Sequence, residues 1–406
     1  MPRLALRRPG ANRALDLVNF FVADVQTGFG PFVAVYLTTH KWTQIEIGYA
    51  LTLGTMTSLV SQLPAGALVD ALRNKRIAAS GALVGIIAAA LLLAVQPQQL
   101  PVLVAQMLHG FASCVMTPAI AAISLHTVGH AALGERLGRN ARYASIGNGL
   151  AAAVMGATGA YFSTRFVFLL TAALCLPALA ALWSIGAGEH ARAQTTSRVL
   201  DLAGLKRLLV DRRLLIFAIC VMLFHLSNAA MLPLAGAEVT MRAGHLANLI
   251  IAACIVVPQI VVALMSPWVG RLAETVGRKR LLLLGWGALP LRGLLLAVLP
   301  GSWPLVMGQS ISGVSAAVFG VLLPLLAADL TLGTSHFNLC MGILGLAMYL
   351  GAAVSTTLSG GIADSAGMET AFMVLAAVGA VGFLAVWLAM PETRPDRSSI
   401  SSAVQE

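Results

Sequence analysis

Twelve long runs of apolar residues, separated by short polar breaks, dominate this chain. A hydrocarbon layer about 30 Å thick takes roughly 20 apolar residues of α-helix. The runs at 15–38, 46–70, 77–96, 101–127, 139–162, 165–187, 213–237, 246–271, 280–299, 303–329, 337–361 and 368–390 meet that length. They are continuously apolar and rich in Ala and Leu rather than alternating, which speaks against membrane strands. Charged residues make up 10% of the 406, against about 25% in a soluble domain, so the chain cannot cover a water-facing surface. A soluble enzyme, a nucleic-acid binder and a disordered protein are thereby excluded. The fold class expected is an all-α membrane protein with twelve transmembrane helices, its lipid bilayer the main partner. The five cysteines, Cys114, Cys175, Cys220, Cys254 and Cys340, lie inside apolar runs without metal-ligand spacing and read as small buried side chains. No metal and no cofactor is expected, and the N-terminus carries no pattern of a removable signal peptide.

Orientation follows from Lys and Arg, which concentrate on the cytoplasmic side of multi-pass proteins. With both termini inside, 22 of the 26 basic residues fall in cytoplasmic segments. These include Arg73, Lys75 and Arg76 in the second loop, Arg136, Arg139 and Arg142 in the fourth, and Arg271, Arg278, Lys279 and Arg280 in the eighth. The formal charge of +10 is then a topological signal, and nucleic acid need not be invoked. The longest polar interruption, 188–212, reads as a cytoplasmic linker between a bundle at 1–187 and another at 213–390, with a tail at 391–406. Within the linker, 200–210 has the character of an amphipathic surface helix. Trp42 and Trp303 fall near one expected boundary, and Trp183, Trp268 and Trp387 near the other.

The two halves align with an offset near 204. Gly66-Ala-Leu-Val-Asp70-Ala-Leu-Arg73-Asn-Lys75-Arg76 follows the second run, and Gly270-Arg-Leu-Ala-Glu274-Thr-Val-Gly277-Arg278-Lys279-Arg280 follows the eighth. Gln106-Met-Leu-His109-Gly110 and Gln309-Ser-Ile-Ser-Gly313 form a second matching pair. Duplication of this kind is typical of secondary transporters, with the binding site at the midplane between the repeats. The glycine, acid and basic cluster, present in both halves of a twelve-span chain, resemble the loop motif of the major facilitator superfamily. The resemblance implies that Gly66 and Gly270 permit close helix approach. It implies that Asp70 and Glu274 face the start of the eleventh or fifth helix, where a carboxylate complements the helix N-terminus. It also implies that Arg73, Arg76, Gly277, Arg278 and Arg280 take part in a cytoplasmic gate. Similarity to the drug-antiporter branch is partial. Gly147 and Gly156 keep that branch's spacing in the fifth span and Gly159 follows, without the usual proline. Gln106 stands where that branch usually carries arginine.

An ionisable side chain at mid-membrane costs several kcal/mol and is a functional candidate by default. Asp24 is the acid read as lying deep in a span, beside Gly28, Gly30 and Pro31, which can break the first helix and free backbone groups towards a cavity. By the repeat offset Asp24 corresponds to Asn228, and His225 lies one helical turn from Asn228 on the same face. The first and seventh helices flank the cavity in the family that the motif resembles. Asp24, Gln26, His225 and Asn228 are therefore the central candidates for substrate and proton. Gln106, His109 and Gln309 are further candidates on the fourth and tenth helices, though each alone also fits an interhelical hydrogen bond. Arg292 reads as a side chain snorkelling from the ninth helix to the membrane boundary, with no role assigned.

The function expected is secondary active transport of a small molecule by alternating access in the bacterial cytoplasmic membrane. Proton-coupled efflux is favoured, with a monomeric protein and no nucleic-acid partner. Proton-coupled or facilitated import of a small polar metabolite is the alternative. A non-transporting sensor or partner subunit is the alternative from another class. A membrane-embedded enzyme would need a nucleophile, a metal cluster or a carboxylate pair at depth, which the sequence does not offer.

Overall fold

The computed structural model of the protein describes residues 9–27, 29, 31–185, 202–235, 247–299, 301–334 and 336–394. Among these residues all regular structure is helical. The helices are α1 (Pro9–Thr27), α2 (Pro31–Thr39), α3 (Gln44–Ala71), α4 (Lys75–Val95), α5 (Gln99–Val128), α6 (Leu133–Tyr161), α7 (Thr164–Ser184), α8 (Leu202–Val210) and α9 (Arg212–Asn228). They continue with α10 (Ala247–Thr275), α11 (Arg278–Val298), α12 (Ser302–Leu330), α13 (Phe337–Ala366) and α14 (Met368–Ala389). Nine helical stretches among the described residues are long and apolar enough to cross a membrane. α1, α3 and α6 are not in that set. α1 ends at Thr27 and α2 starts at Pro31, both within the first apolar run.

Local sequence sets many of the ends. Thr43 and Glu46 form a reciprocal capping box at the start of α3, and Asn74, Ser163 and Asp211 cap α4, α7 and α9 through their side chains. Such caps satisfy backbone N–H groups that the first helical turn leaves bare. Arg136, Arg139 and Arg142, read from the sequence as a loop, lie instead on the opening turns of α6. Arginine is a good helix former, so the helix starts at Leu133, six residues before the apolar run at 139–162, and takes in Arg136. Leu202–Val210 forms the expected amphipathic α8, with Gly204 and Leu208 buried and Lys206 and Arg207 exposed.

Two compact units emerge. Unit 1 takes the described parts of Met1–Leu133, Tyr143–Asp201 and Gly333–Gly342, and unit 2 those of Gly134–Arg142, Leu202–Leu332 and Ile343–Glu406. Opening residues of α13 thus belong to unit 1 and opening residues of α6 to unit 2. In unit 1, α4 packs on α5 and α7, α3 on α5, and α1 on α7. In unit 2, α11 packs on α12 and α14, α10 on α12, and α9 on α14. The second pattern repeats the first helix for helix, as the sequence duplication requires. The core of unit 1 is built from Leu15, Leu83, Ile86, Leu93, Met116 and Phe168, all fully enclosed. Leu, Val and Trp side chains such as Val60, Leu264, Trp183, Trp268 and Trp387 are exposed, as expected of surfaces that face lipid rather than water.

Candidate functional site

The duplicated motif builds the same contact twice. In unit 1, Asp70 Oδ1 accepts the Asn338 backbone N–H at 3.1 Å and its Nδ2 at 2.6 Å, and Oδ2 accepts the Leu339 N–H at 2.8 Å. These N–H groups are among the bare donors of the first turn of α13, so a carboxylate caps the positive end of the helix. In unit 2, Glu274 receives the N–H groups of Gly134 and Glu135 at the start of α6, the latter at 3.4 Å. Residues 134 and 338 differ by 204, the same offset as 70 and 274.

The glycines of the motif make these caps possible. A Cβ on Gly66 would collide with the Asn338 carbonyl, and one on Gly270 with the Gly134 carbonyl. One turn further along, a Cβ on Gly342 would lie 2.5 Å from the Gln62 carbonyl oxygen, and Gly138 is pressed against Ser266 in the matching place. All four are backbone-to-backbone approaches, which a flexible neighbour cannot relieve.

The basic residues divide by role. Lys75 is buried and donates to the carbonyls of Val69, Asp70 and Leu72 at 2.6, 3.1 and 2.9 Å, closing the C-terminus of α3 with a cation. Arg76 donates to the Ile185 carbonyl and lies 5.3 Å from the Trp183 ring centre. Arg73 and Arg280 are exposed. In unit 2, Arg278 donates to the Ala273 carbonyl and pairs with Asp329 at 3.0 Å. Gly277 has φ +106 and sits against Glu392, which accepts the N–H groups of Arg278 at 2.8 Å and Lys279 at 3.2 Å. Partial burial pushes the Glu392 carboxyl up, but N–H bonds from Arg278, Arg394, Lys279 and Thr393 outweigh it and hold it below the usual carboxylate value. Asp329, Glu392 and the buried Asp16 escaped the sequence reading. The signal was a lone acid within a few residues of a span end, which looks like ordinary surface charge.

The central candidates fall in different places. Asp24 and Gln26 lie on α1, with side chains outside the described residues. His109 stacks on Phe29, with ring centres 3.9 Å apart, and Ser113 lies 3.3 Å from its Nε2. Gln106, on the same helix, is 4% exposed and its Nε2 has no partner. In unit 2, His225 meets Phe319 edge to face at 5.0 Å and its Nε2 is likewise bare. Asn228 and Gln309 come together on Arg292, which donates to Asn228 Oδ1 at 2.7 Å and Gln309 Oε1 at 3.4 Å. This corrects the reading of Arg292 as a snorkelling side chain. It is 2% exposed and turns into the bundle, because two amide oxygens there can receive its N–H groups.

Each motif copy's carboxylate caps the first turn of a helix, α13 for Asp70 and α6 for Glu274, and duplication of this helical kind is typical of secondary transporters. The comparisons specify which kind. The Major Facilitator Superfamily profile matches residues 15–257 and 217–405, and the chain belongs to that superfamily. It is therefore a multi-pass secondary transporter for a small molecule. An MFS-type transporter of Mycobacterium tuberculosis, itself uncharacterised, is 37% identical over 399 residues, which covers 95% of this chain and 94% of the relative. The class B tetracycline resistance protein of Escherichia coli is 29% identical over 141 residues, or 35% of this chain and 34% of that protein. The fucose:proton symporter of E. coli superposes with a TM-score of 0.74 at 16% identity, over 92% of this chain and 97% of that one, a likeness of fold alone.

Proposed function

We propose that the protein is a proton-coupled exporter in the bacterial cytoplasmic membrane. In this reading both termini are cytoplasmic and the two repeats, twelve spans in all, rock about a midplane site. The observation that carries the alternating-access part is the pair of carboxylate caps, Asp70 on α13 and Glu274 on α6. A cap made of a few charge-assisted hydrogen bonds is strong enough to hold one state and weak enough to be broken in a cycle, at about 1.5–3 kcal/mol for each bond. The caps would serve as the gate, released when the transporter changes state. Asp24 is the proposed proton carrier. Export is favoured by the similarity to the tetracycline resistance protein.

The test is flux in inverted membrane vesicles energised to an acid interior, with tetracycline as the first probe and a panel of small amphiphilic drugs behind it. Accumulation that collapses with the proton gradient supports export. Accumulation only in right-side-out vesicles means import, and no gradient-dependent flux in either orientation contradicts the reading.

A further inference from the structure

Arg292 is a buried cation, and none of its hydrogen-bond partners among the described residues is an anion. It sits about six residues, roughly 9 Å along the axis, before the end of α11 at Val298. Its two partners, Asn228 and Gln309, are neutral amides. Among the described residues no acid forms an ion pair with Arg292. Asp329, on the same helix as Gln309, is twenty residues further along, roughly 30 Å at 1.5 Å per residue, and is bonded to Arg278. A guanidinium taken out of water costs several kcal/mol unless it is paired as well as hydrogen-bonded, and amide oxygens supply only part of that compensation.

The donors around it are also incompletely used. Arg292 is 2% exposed and its Nε has no acceptor, and Gln309 is 1% exposed and its Nε2 has none. The Gln309 contact is long, at 3.4 Å, so that part of the guanidinium fork is loosely held. Two bare N–H donors on side chains already in contact, one on a full positive charge, are groups that the oxygens of a carboxylate accept. The single positive charge is balanced by a monoanion and would be exceeded by a dianion.

We propose that Arg292, Gln309 and Asn228 form an anion-recognition site within unit 2, and that the molecule carried bears a carboxylate that docks on Arg292. The proposal rests on the transporter reading and adds the substrate class to it. Because both side chains are sealed from solvent, docking requires movement of α11 or α12, which ties occupation of the site to the transport cycle.

The experiment uses the full-length protein in lipid nanodiscs, with lactate and benzoate as probes and lactamide and benzamide as uncharged controls. The readouts are the thermal unfolding midpoint and tryptophan fluorescence, since Trp286 lies on α11 about 9 Å along the axis from Arg292. At least one carboxylate is expected to raise the midpoint and alter the fluorescence, and its amide is not. Arg292→Gln should weaken that binding by about 30-fold or more, the loss of one partner of a buried charge contact. Arg292→Lys should weaken it less, by about 10-fold, because the charge stays and the fork is lost. Gln309→Glu keeps the proposal falsifiable if Arg292→Gln does not fold. It supplies an internal carboxylate to Arg292, so it should raise the midpoint of the free protein and abolish the response to the probes. Equal responses to acid and amide, no response to any probe, or an undiminished response in Gln309→Glu would overturn the proposal. Binding is read without flux, so carboxylate binding with no transport would remove the transporter reading and leave the site. Flux of uncharged or cationic drugs without carboxylate binding would do the reverse.

Discussion

At the scale of single residues, Asp70 and Glu274 act through charge and shape together. Asp70 offers three acceptor contacts to the first turn of α13. Asparagine would keep one carbonyl oxygen and turn an NH2 group towards an N–H donor, at a cost of about 1–3 kcal/mol. Asp70→Asn is expected to insert normally and to lose most transport at equal expression. The double variant with Glu274→Gln should be worse than either single change, and vesicle flux checks both. Gly66→Ala places a methyl against the Asn338 carbonyl. It should lower the unfolding midpoint by the equivalent of about 1–3 kcal/mol, while Gly360→Ala, whose Cβ would meet nothing within 4 Å, should not. The glycine and the acid were legible because the motif occurs twice at a constant offset. Their partners, the starts of the eleventh and fifth helices, came only through the family resemblance, because a helix N-terminus is a backbone feature that no side-chain pattern announces.

At the scale of elements, the apolar runs gave the helices and the basic residues blurred their ends. Hydropathy stops where lipid stops, whereas α6 begins at Leu133 and carries Arg136 ahead of the apolar run at 139–162. Arg292 was misread for a related reason. The sequence shows distance to a span end but not the direction a side chain takes, and Asn228 and Gln309 set that direction from two other helices. The start of α11 depends on Glu392, which lies beyond the last helix and caps the Arg278 and Lys279 N–H groups. Its carboxyl is held below the usual value, so the cap's stabilisation is fully present above the unfolded carboxylate range. It is lost only as pH falls through the lower folded value. Glu392→Gln should therefore lower the unfolding midpoint at neutral pH, and the difference from the wild type should vanish in strong acid. A difference that persists unchanged at acid pH would place the effect elsewhere.

At the scale of the whole molecule, the duplication was plain in the sequence, and the two units repeat one another's helix packing. Orientation is testable directly. The five native cysteines are buried, so they should contribute little background to surface labelling. Gln98→Cys should react with an impermeant thiol reagent added outside intact cells, and Thr195→Cys, in a segment outside the described residues, should not. The reverse pattern would invert the topology drawn from the basic residues. The central claim is that proton release and substrate movement meet at Asp24. A carboxyl removed from water keeps its proton more readily than an exposed one, so exposure to alternate sides of the membrane can load and unload it. The measurement is uphill accumulation in energised inverted vesicles by the wild type and by Asp24→Asn, alongside substrate exchange at equal pH. The account predicts that Asp24→Asn abolishes gradient-driven accumulation while exchange survives, since asparagine keeps the size and hydrogen-bonding capacity of the site. Accumulation against a gradient by Asp24→Asn at the wild-type level would contradict it.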